Sequence, residues 1–302
     1  MKSERNKTID FSLEEGKEFL EKCIRAEDYG GETDVTVFGD AFEAIGKIAD
    51  KSVDLLIVDP PYNLDKNFHG ETFRRMGADA YAAYTEKWIE AVTPKLKDTA
   101  SVYVCSDWRS SVSLGAVIDA HFKLRNRITW QREKGRGAKN NWKNSMEDIF
   151  FATVGEKYTF NLEAVKQRRK VVAPYRENGK PKDWEETEEG NFRNTCPSNF
   201  WEDISVPYWS MPENTAHPTQ KPEKLLAKLI LASSNEKDVV LDPFSGSGTT
   251  GVVAKKLGRK YIDIEHNPLY CAWAEYRLSL AQKGGKIQGY ENGVFWARGS
   301  GK

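Results

Sequence analysis

Two stretches of the chain carry residue types that a simple turn does not need. The first, VDLLIVDPPYNL at 53–64, sets Asp59, Pro60, Pro61 and Tyr62 where an apolar run must stop. A turn uses one proline and tolerates an acid, but it has no need of a large aromatic ring. The second, VVLDPFSGSGTT at 239–250, reads as a strand, Asp242, a glycine turn and a helix start. Gly246 and Gly248 permit positive φ and close backbone approach to a ligand. The next strand, Tyr261 to Ile264, ends at Glu265, an acid placed to hold ribose hydroxyls. The turn lacks the third glycine of the dinucleotide fingerprint and the Gly-Lys-Ser/Thr of a P-loop. A cofactor with a ribose but no pyrophosphate fits, and S-adenosylmethionine is the candidate.

The elements around these stretches must bring them together. Strands are expected at Val35–Phe38, Val53–Val58, Ser101–Cys105, Arg127–Gln131, Asp148–Thr153, Val239–Asp242 and Tyr261–Ile264. Helices are expected near Leu13–Ile24, Ala41–Ala49, Tyr81–Val92, Ser110–Ala120, Glu223–Ser233 and onward from Thr249 to Leu257. The run VDLLIV is continuous in Val, Leu and Ile, as in strands covered on both faces. Strands alternating with helices give an α/β, doubly wound sheet. The alternation stops near Gly155. Residues 155–214 mix Pro, Gly, Asn, charge clusters and three tryptophans, and read as an inserted subdomain.

Composition excludes several classes. The chain has 302 residues, 39% hydrophobic and 30% charged, which is a globular balance. No apolar run approaches the roughly 20 residues of a membrane helix, and the start has no apolar signal core. A cytoplasmic protein is expected, with no membrane partner. Cys23, Cys105, Cys196 and Cys271 form no close pair, and the four histidines lack ligand spacing, so no metal is expected. The 45 basic and 45 acidic residues cancel, but they are unevenly spread. Lys123 to Lys143 holds eight bases against Glu133 alone. Lys166 to Arg176 holds five bases and no acid, and DWEETEE at 183–189 holds five acids. Local basic charge of this kind makes a docking face.

DPPY at 59–62, HPTQKP at 217–222, DPFSGSGTT at 242–250 and IEHNPLY at 264–270 resemble the motifs of amino-methylating DNA methyltransferases. Their order, catalytic motif first and cofactor motif last, resembles the β-class of adenine-N6 and cytosine-N4 enzymes. The resemblance spans about residues 35–280. It implies a mostly parallel, seven-stranded, Rossmann-like methyltransferase sheet with an inserted target-recognition subdomain. The implied division is an N-terminal extension at 1–33, a catalytic half at 34–154 and a target-recognition region at 155–214. A cofactor-binding half at 215–282 and a C-terminal tail at 283–302 complete it. Double-stranded DNA is the implied partner. A homodimer and a cognate restriction endonuclease are the further companions that the family brings.

The resemblance also implies roles. An exocyclic amino group is a poor nucleophile because its lone pair is delocalised into the ring. Asp59 and the Pro60 carbonyl would accept its two hydrogens and draw it toward tetrahedral geometry. Asp59 would stabilise the positive charge that grows as the methyl arrives. Tyr62 would stack on a base flipped from the duplex. Family members with aspartate at this first position mostly methylate adenine N6, whereas cytosine-N4 enzymes usually carry serine. The cofactor residues are Asp40 near its adenine, Asp242 beside its methionine end, Phe244, Gly246, Gly248 and Thr249 along the turn, and Glu265 on the ribose. Asp263 competes with Glu265 for the ribose. Thr219 and Lys221 would grip the methionine carboxylate. Arg132, Lys134, Arg136 and Lys139 in REKGRGAKNNWK, with Lys166, Arg168 and Arg169, would contact DNA. Trp201 reads as core. The rival readings are cytosine-N4 methylation, a non-catalytic DNA-binding subunit of the same fold, and a protein or RNA amine methylase.

Overall fold

A computed structural model describes residues 5–68, 71–132, 139–172 and 175–300. The chain runs through β1 (Ile24–Arg25), β2 (Val35–Phe38), α1 (Ala41–Lys47), β3 (Val53–Val58), α2 (Ala78–Val92) and β4 (Leu96–Ser106). It continues through α3 (Ser111–His121), β5 (Lys123–Gln131), β6 (Met146–Thr153), β7 (Gln167–Lys170), β8 (Glu185–Thr187), β9 (Gly190–Thr195) and β10 (Phe200–Trp201). The last part holds α4 (Glu223–Ser233), β11 (Val239–Asp242), α5 (Thr249–Lys256), β12 (Lys260–Glu265), α6 (Pro268–Leu280), β13 (Tyr290–Glu291) and β14 (Val294–Trp296).

The central sheet has nine strands in the order β1-β2-β12-β11-β3-β4-β6-β5-β10. Seven of these are the expected methyltransferase strands; β1 and β10 are added edge strands of two residues each. From β1 to β4 every pairing is parallel, and β6 is antiparallel to both β4 and β5. The central strand β3 explains its own composition. Leu55 and Ile57 enter one buried cluster, while Val53, Leu56 and Val58 enter the cluster on the opposite face. Each such side chain contributes roughly 1.5–3 kcal/mol by leaving water. The acid inside this run, Asp54, sits near the strand's start, where it pairs with Lys97 and accepts from the Val239 amide.

Three expectations change. The helix expected over Leu13–Ile24 is a single turn, Lys17–Leu20. Tertiary packing takes over there: Phe11 and Phe19 pack edge-on to Tyr276 of α6, and Trp273 donates to the Phe11 carbonyl. The N-terminal segment also bridges Ile9 to Thr215, so it is built into the body. The C-terminal tail is likewise no separate unit. Its β14 pairs in parallel with β7, giving a second sheet in the order β8-β9-β7-β14-β13. The second sheet therefore draws on residues beyond 283 as well as on 155–214. Among the described residues no helix is long and apolar enough to cross a membrane.

Candidate active site

Strands β3 and β11 lie side by side and parallel, with Leu56 opposite Leu241. From β3 the next parallel neighbour is β4, and from β11 it is β12 on the other side. The strand order thus reverses between them, which opens a crevice at their carboxyl ends. Asp59 follows β3 directly and Asp242 closes β11. Between them lies a cavity of about 350 Å³. It is lined by Asp40, Asp59, Pro60, Tyr62, Thr219, Lys221, Asp242, Phe244, Gly246, Thr249 and Glu265. Motifs far apart in the chain therefore meet at one place.

At one end of the cavity the Lys221 ammonium donates to Asp59 Oδ2 at 2.5 Å and to the Tyr62 hydroxyl at 3.0 Å. The other Asp59 oxygen, Oδ1, is buried and has no hydrogen-bond partner among the described residues. The Tyr62 hydroxyl donates to Glu147 Oε2 at 3.2 Å, and Lys221 stands 3.4 Å from the same oxygen. Arg132 pairs with Glu147 Oε1. The Pro61 carbonyl accepts from Tyr81, which steadies the diproline turn. Burial opposes the charge on Lys221, yet Asp59 and Glu147 outweigh it and hold the ammonium above lysine's ordinary value. Burial, with Asp59 and Glu147 adding to it, pushes the Tyr62 phenol well up, so it stays neutral.

Two expected site residues have partners within the protein. Lys221 lines the cavity, and its ammonium is held by Asp59 and Tyr62. Arg132, expected at DNA, has its guanidinium held by buried Glu147 and 5.8 Å over the Trp130 ring.

At the other end the glycine turn is held from beneath. Arg277 of α6 donates to the Ser247 carbonyl and to Thr249 Oγ1. Gly246 has φ +55°, and its amide donates to Glu265 Oε2 at 2.8 Å. Glu265 Oε1 accepts from the Asn267 amide, so this carboxylate is fixed at the cavity wall. Gly248 does not line the cavity, and the reason for its glycine is different. With φ +71°, a Cβ there would meet the Ala274 Cβ at 2.5 Å, so the residue permits close packing on α6. Asp263 is fully buried and accepts from the Gly251 amide beneath α5; it does not line the cavity, whereas Glu265 does. Asp242 accepts from Thr250 and from the Phe244 amide, yet burial pushes its carboxyl up to about 7. Asp40 caps α1 by accepting from the Glu43 amide while it lines the cavity.

Three residues in or beside the cavity were given no role by the sequence reading. His217 packs edge-on to Tyr270 at 4.4 Å and accepts from the Thr219 amide. Asn267 caps α6 ahead of Pro268, and that Asn-Pro pair was a readable helix start. Glu147 lies in the apolar-looking strand β6 and gave no hint of its partners.

The expected DNA residues separate. Lys134 and Arg136 lie outside the described residues. Lys139 is exposed. In the second sheet Arg169 is exposed and donates to Gln167, while Lys166 pairs with Glu163. Arg168 pairs with Glu185 and lies over Phe192 and Trp296, contacts that tie that sheet together. Trp201 is buried, as expected of core.

A parallel sheet with its crevice at the switch point, two acids at adjacent strand ends and a glycine turn beside them define a nucleoside-cofactor enzyme of the α/β class. The DNA methylase family pattern matches residues 53–276, and the chain belongs to that family. It is 35% identical over 260 residues to the DNA adenine methyltransferase YhdJ of Escherichia coli (strain K12), covering 84% of this chain and 85% of that one. In fold it is similar to the PvuII DNA methyltransferase (cytosine-N4-specific), with a TM-score of 0.63, 19% identity, and 82% and 87% of the two chains covered. It is similar also to the M1.HpyAVI–SAM complex, with a TM-score of 0.52, 21% identity, and 80% and 98% covered.

Proposed function

We propose that the chain methylates N6 of adenine in double-stranded DNA, with S-adenosylmethionine as donor, after the base has left the duplex. The observation that carries this is the state of Asp59. One of its oxygens is fixed by Lys221, and the other is buried and unpartnered among the described residues. An orphaned buried acceptor beside a cavity is tolerated where a ligand supplies the donor. An exocyclic amino group is such a donor, and the neighbouring Pro60 carbonyl takes its second hydrogen.

The cofactor supplies an electrophilic methyl on a sulfonium. Phe244, Gly246, Thr249 and Glu265 are the residues to hold it, and Asp242 sits close to its positive end. Asp59 and Pro60 hold the amino nitrogen in line, which is the positional part of the rate. The bound cofactor would supply the methyl and would keep the electron pair of the broken bond on its sulfur, as a neutral thioether. The nitrogen becomes positive, Asp59 stabilises that charge, and one amino proton leaves through Asp59 Oδ1 toward solvent. Lys221 holds Asp59 Oδ2 in place meanwhile. Aspartate at position 59 and the likeness to an enzyme named as an adenine methyltransferase both support adenine. The likeness to a cytosine-N4 enzyme, at 19% identity, speaks to fold.

The test is incubation with labelled cofactor and mixed duplex DNA, followed by digestion to nucleosides. N6-methyladenine is expected. N4-methylcytosine in its place overturns the base assignment, and no transfer by folded protein favours a non-catalytic DNA-binding subunit. Dimerisation and a companion endonuclease belong to the same proposal; light scattering tests the first.

A further inference from the structure

Strand β6 opens with two acids in succession, Glu147 and Asp148, and strand geometry sends them to opposite faces. Asp148 accepts from Ser111 and Thr129 and lies 3.8 Å from Arg127, so it ties α3 and β5 to the sheet. Glu147 points the other way. Its side chain is 4% exposed and both of its oxygens are engaged: Oε1 by Arg132, Oε2 by the Tyr62 hydroxyl and, at 3.4 Å, by Lys221. Lys221 in turn holds Asp59. A second buried carboxylate so near Asp59 would repel it unless matched by a second cation. Arg132, 28% exposed at the rim, is that cation.

We infer that Glu147 is a positioning residue for methyl transfer, fixing the Tyr62 ring through its hydroxyl and the Asp59 carboxylate through Lys221, with Arg132 as its counter-ion. This rests on the reading of the cavity as a methyl-transfer site. It does not depend on which base is methylated. The two acids and two bases form one neutral chain, Arg132–Glu147–Lys221–Asp59. Without Glu147, the Tyr62 hydroxyl loses its acceptor and the Lys221 ammonium has Asp59 as its one anionic partner in the chain. Asp59 Oδ1 then no longer meets the amino group at the angle set by the diproline turn. Displacement of about 1 Å at a reacting centre lowers a rate on the order of 100-fold.

The experiment measures total methyl transfer to duplex DNA, with kcat and KM separated and the product nucleoside identified independently. Glu147→Gln and Arg132→Ala are each expected to lower kcat about 100-fold, with cofactor Kd and the KM for DNA within about three-fold of wild type. Arg132→Lys, which keeps the charge, should recover about ten-fold of that loss. Asp148→Asn serves as the structural control: it should lower Tm while leaving kcat nearer wild type than either variant. Because Arg132 stands at the rim, Arg132→Ala keeps the inference testable even if Glu147→Gln folds poorly. Unchanged kcat in both variants overturns the inference. So does a raised KM for DNA with intact kcat and a shallower salt dependence in Arg132→Ala, which would make Arg132 a phosphate contact. Transfer to cytosine in place of adenine changes the proposed substrate but leaves this test intact, since every variant is read by total transfer.

Discussion

The cavity at the switch point and the surface around the acidic run 183–189 handle charge in opposite ways. In the cavity, ion pairs are buried and join distant parts of the chain: Lys221 and Asp59 are 162 positions apart. Around the acidic run the pairs of Arg176 and Arg193 are local and solvated. Arg176 meets Glu186 and Arg193 meets Asp183, each ten positions apart, with side chains 44–64% exposed. The acidic run 183–189 thus supplies internal partners for nearby bases. Exposed pairs are worth about 0–1 kcal/mol, so a phosphate can displace the acid at little cost. Breaking a buried pair costs about 3–5 kcal/mol, because a charge is left stranded. One region is built to keep its geometry, the other to exchange partners.

The sharpest break of this comparison is Asp59→Ala. Transfer should fall by about 10³-fold or more, while cofactor Kd by calorimetry stays within a few-fold. Loss of cofactor binding would move Asp59 to the other end of the cavity. Lys221→Met comes next. It removes the partner of Asp59 Oδ2, and kcat should fall about 100-fold with cofactor Kd nearly unchanged. The converse, weak cofactor binding with normal kcat, would return Lys221 to the methionine carboxylate that the HPTQKP motif suggests.

Asp242 gives a pH signature. Burial holds its carboxyl up to about 7, against 3.8 in the unfolded chain. The folded protein therefore binds an extra proton between those values. Its stability falls as pH rises from about 4 to about 7 and is level above, where the buried anion is fully formed. A cation beside the anion reverses that penalty. Cofactor affinity should accordingly rise as pH increases toward 7 and level off beyond it. Asp242→Asn should weaken cofactor binding by about ten-fold or more and flatten that pH dependence. The same variant without cofactor should melt higher at pH 8, by about 2–4 °C for each 1 kcal/mol removed. A lower melting temperature at pH 8 would show that the hydrogen bonds from Thr250 and Phe244 outweigh the cost of burial.

Much of the fold was readable because its signals are local. VDLLIV, VVLD and the helix 223–233 carry their hydrophobic pattern within a few residues, and their observed bounds match those expected. The motif residues of the cavity were readable for the same reason: Asp59 and Asp242 stand where apolar runs end. What was not readable depends on pairing across the chain. β14 is three residues long and becomes a strand by joining β7 in front of it. Glu147 sits in a strand whose pattern says only that it is buried. Its partners come from three other segments, at 62, 132 and 221. Gly248 looks the same in sequence whether it faces a ligand or a helix, and the contact with Ala274 decides it.

The smallest expected effect lies in the exchangeable region. Arg169 is exposed on β7, and its guanidinium bonds a neutral amide, Gln167 Oε1 at 3.2 Å. Its neighbour Arg168 has the anion Glu185 and two aromatic faces instead. Adjacent residues on one strand thus divide the work, one building the sheet and one facing outward. If the outward residue meets a phosphate, Arg169→Ala should reduce the slope of log K against log salt by about 0.9. It should weaken DNA binding a few-fold at moderate salt and leave kcat and Tm unchanged. Arg168→Ala should do the reverse, lowering Tm with little change in the slope, since its charge is already matched inside the sheet. An equal loss of slope in both variants would mean that DNA pulls Arg168 from Glu185 as well. The whole sheet, not its outer row, would then be the binding face.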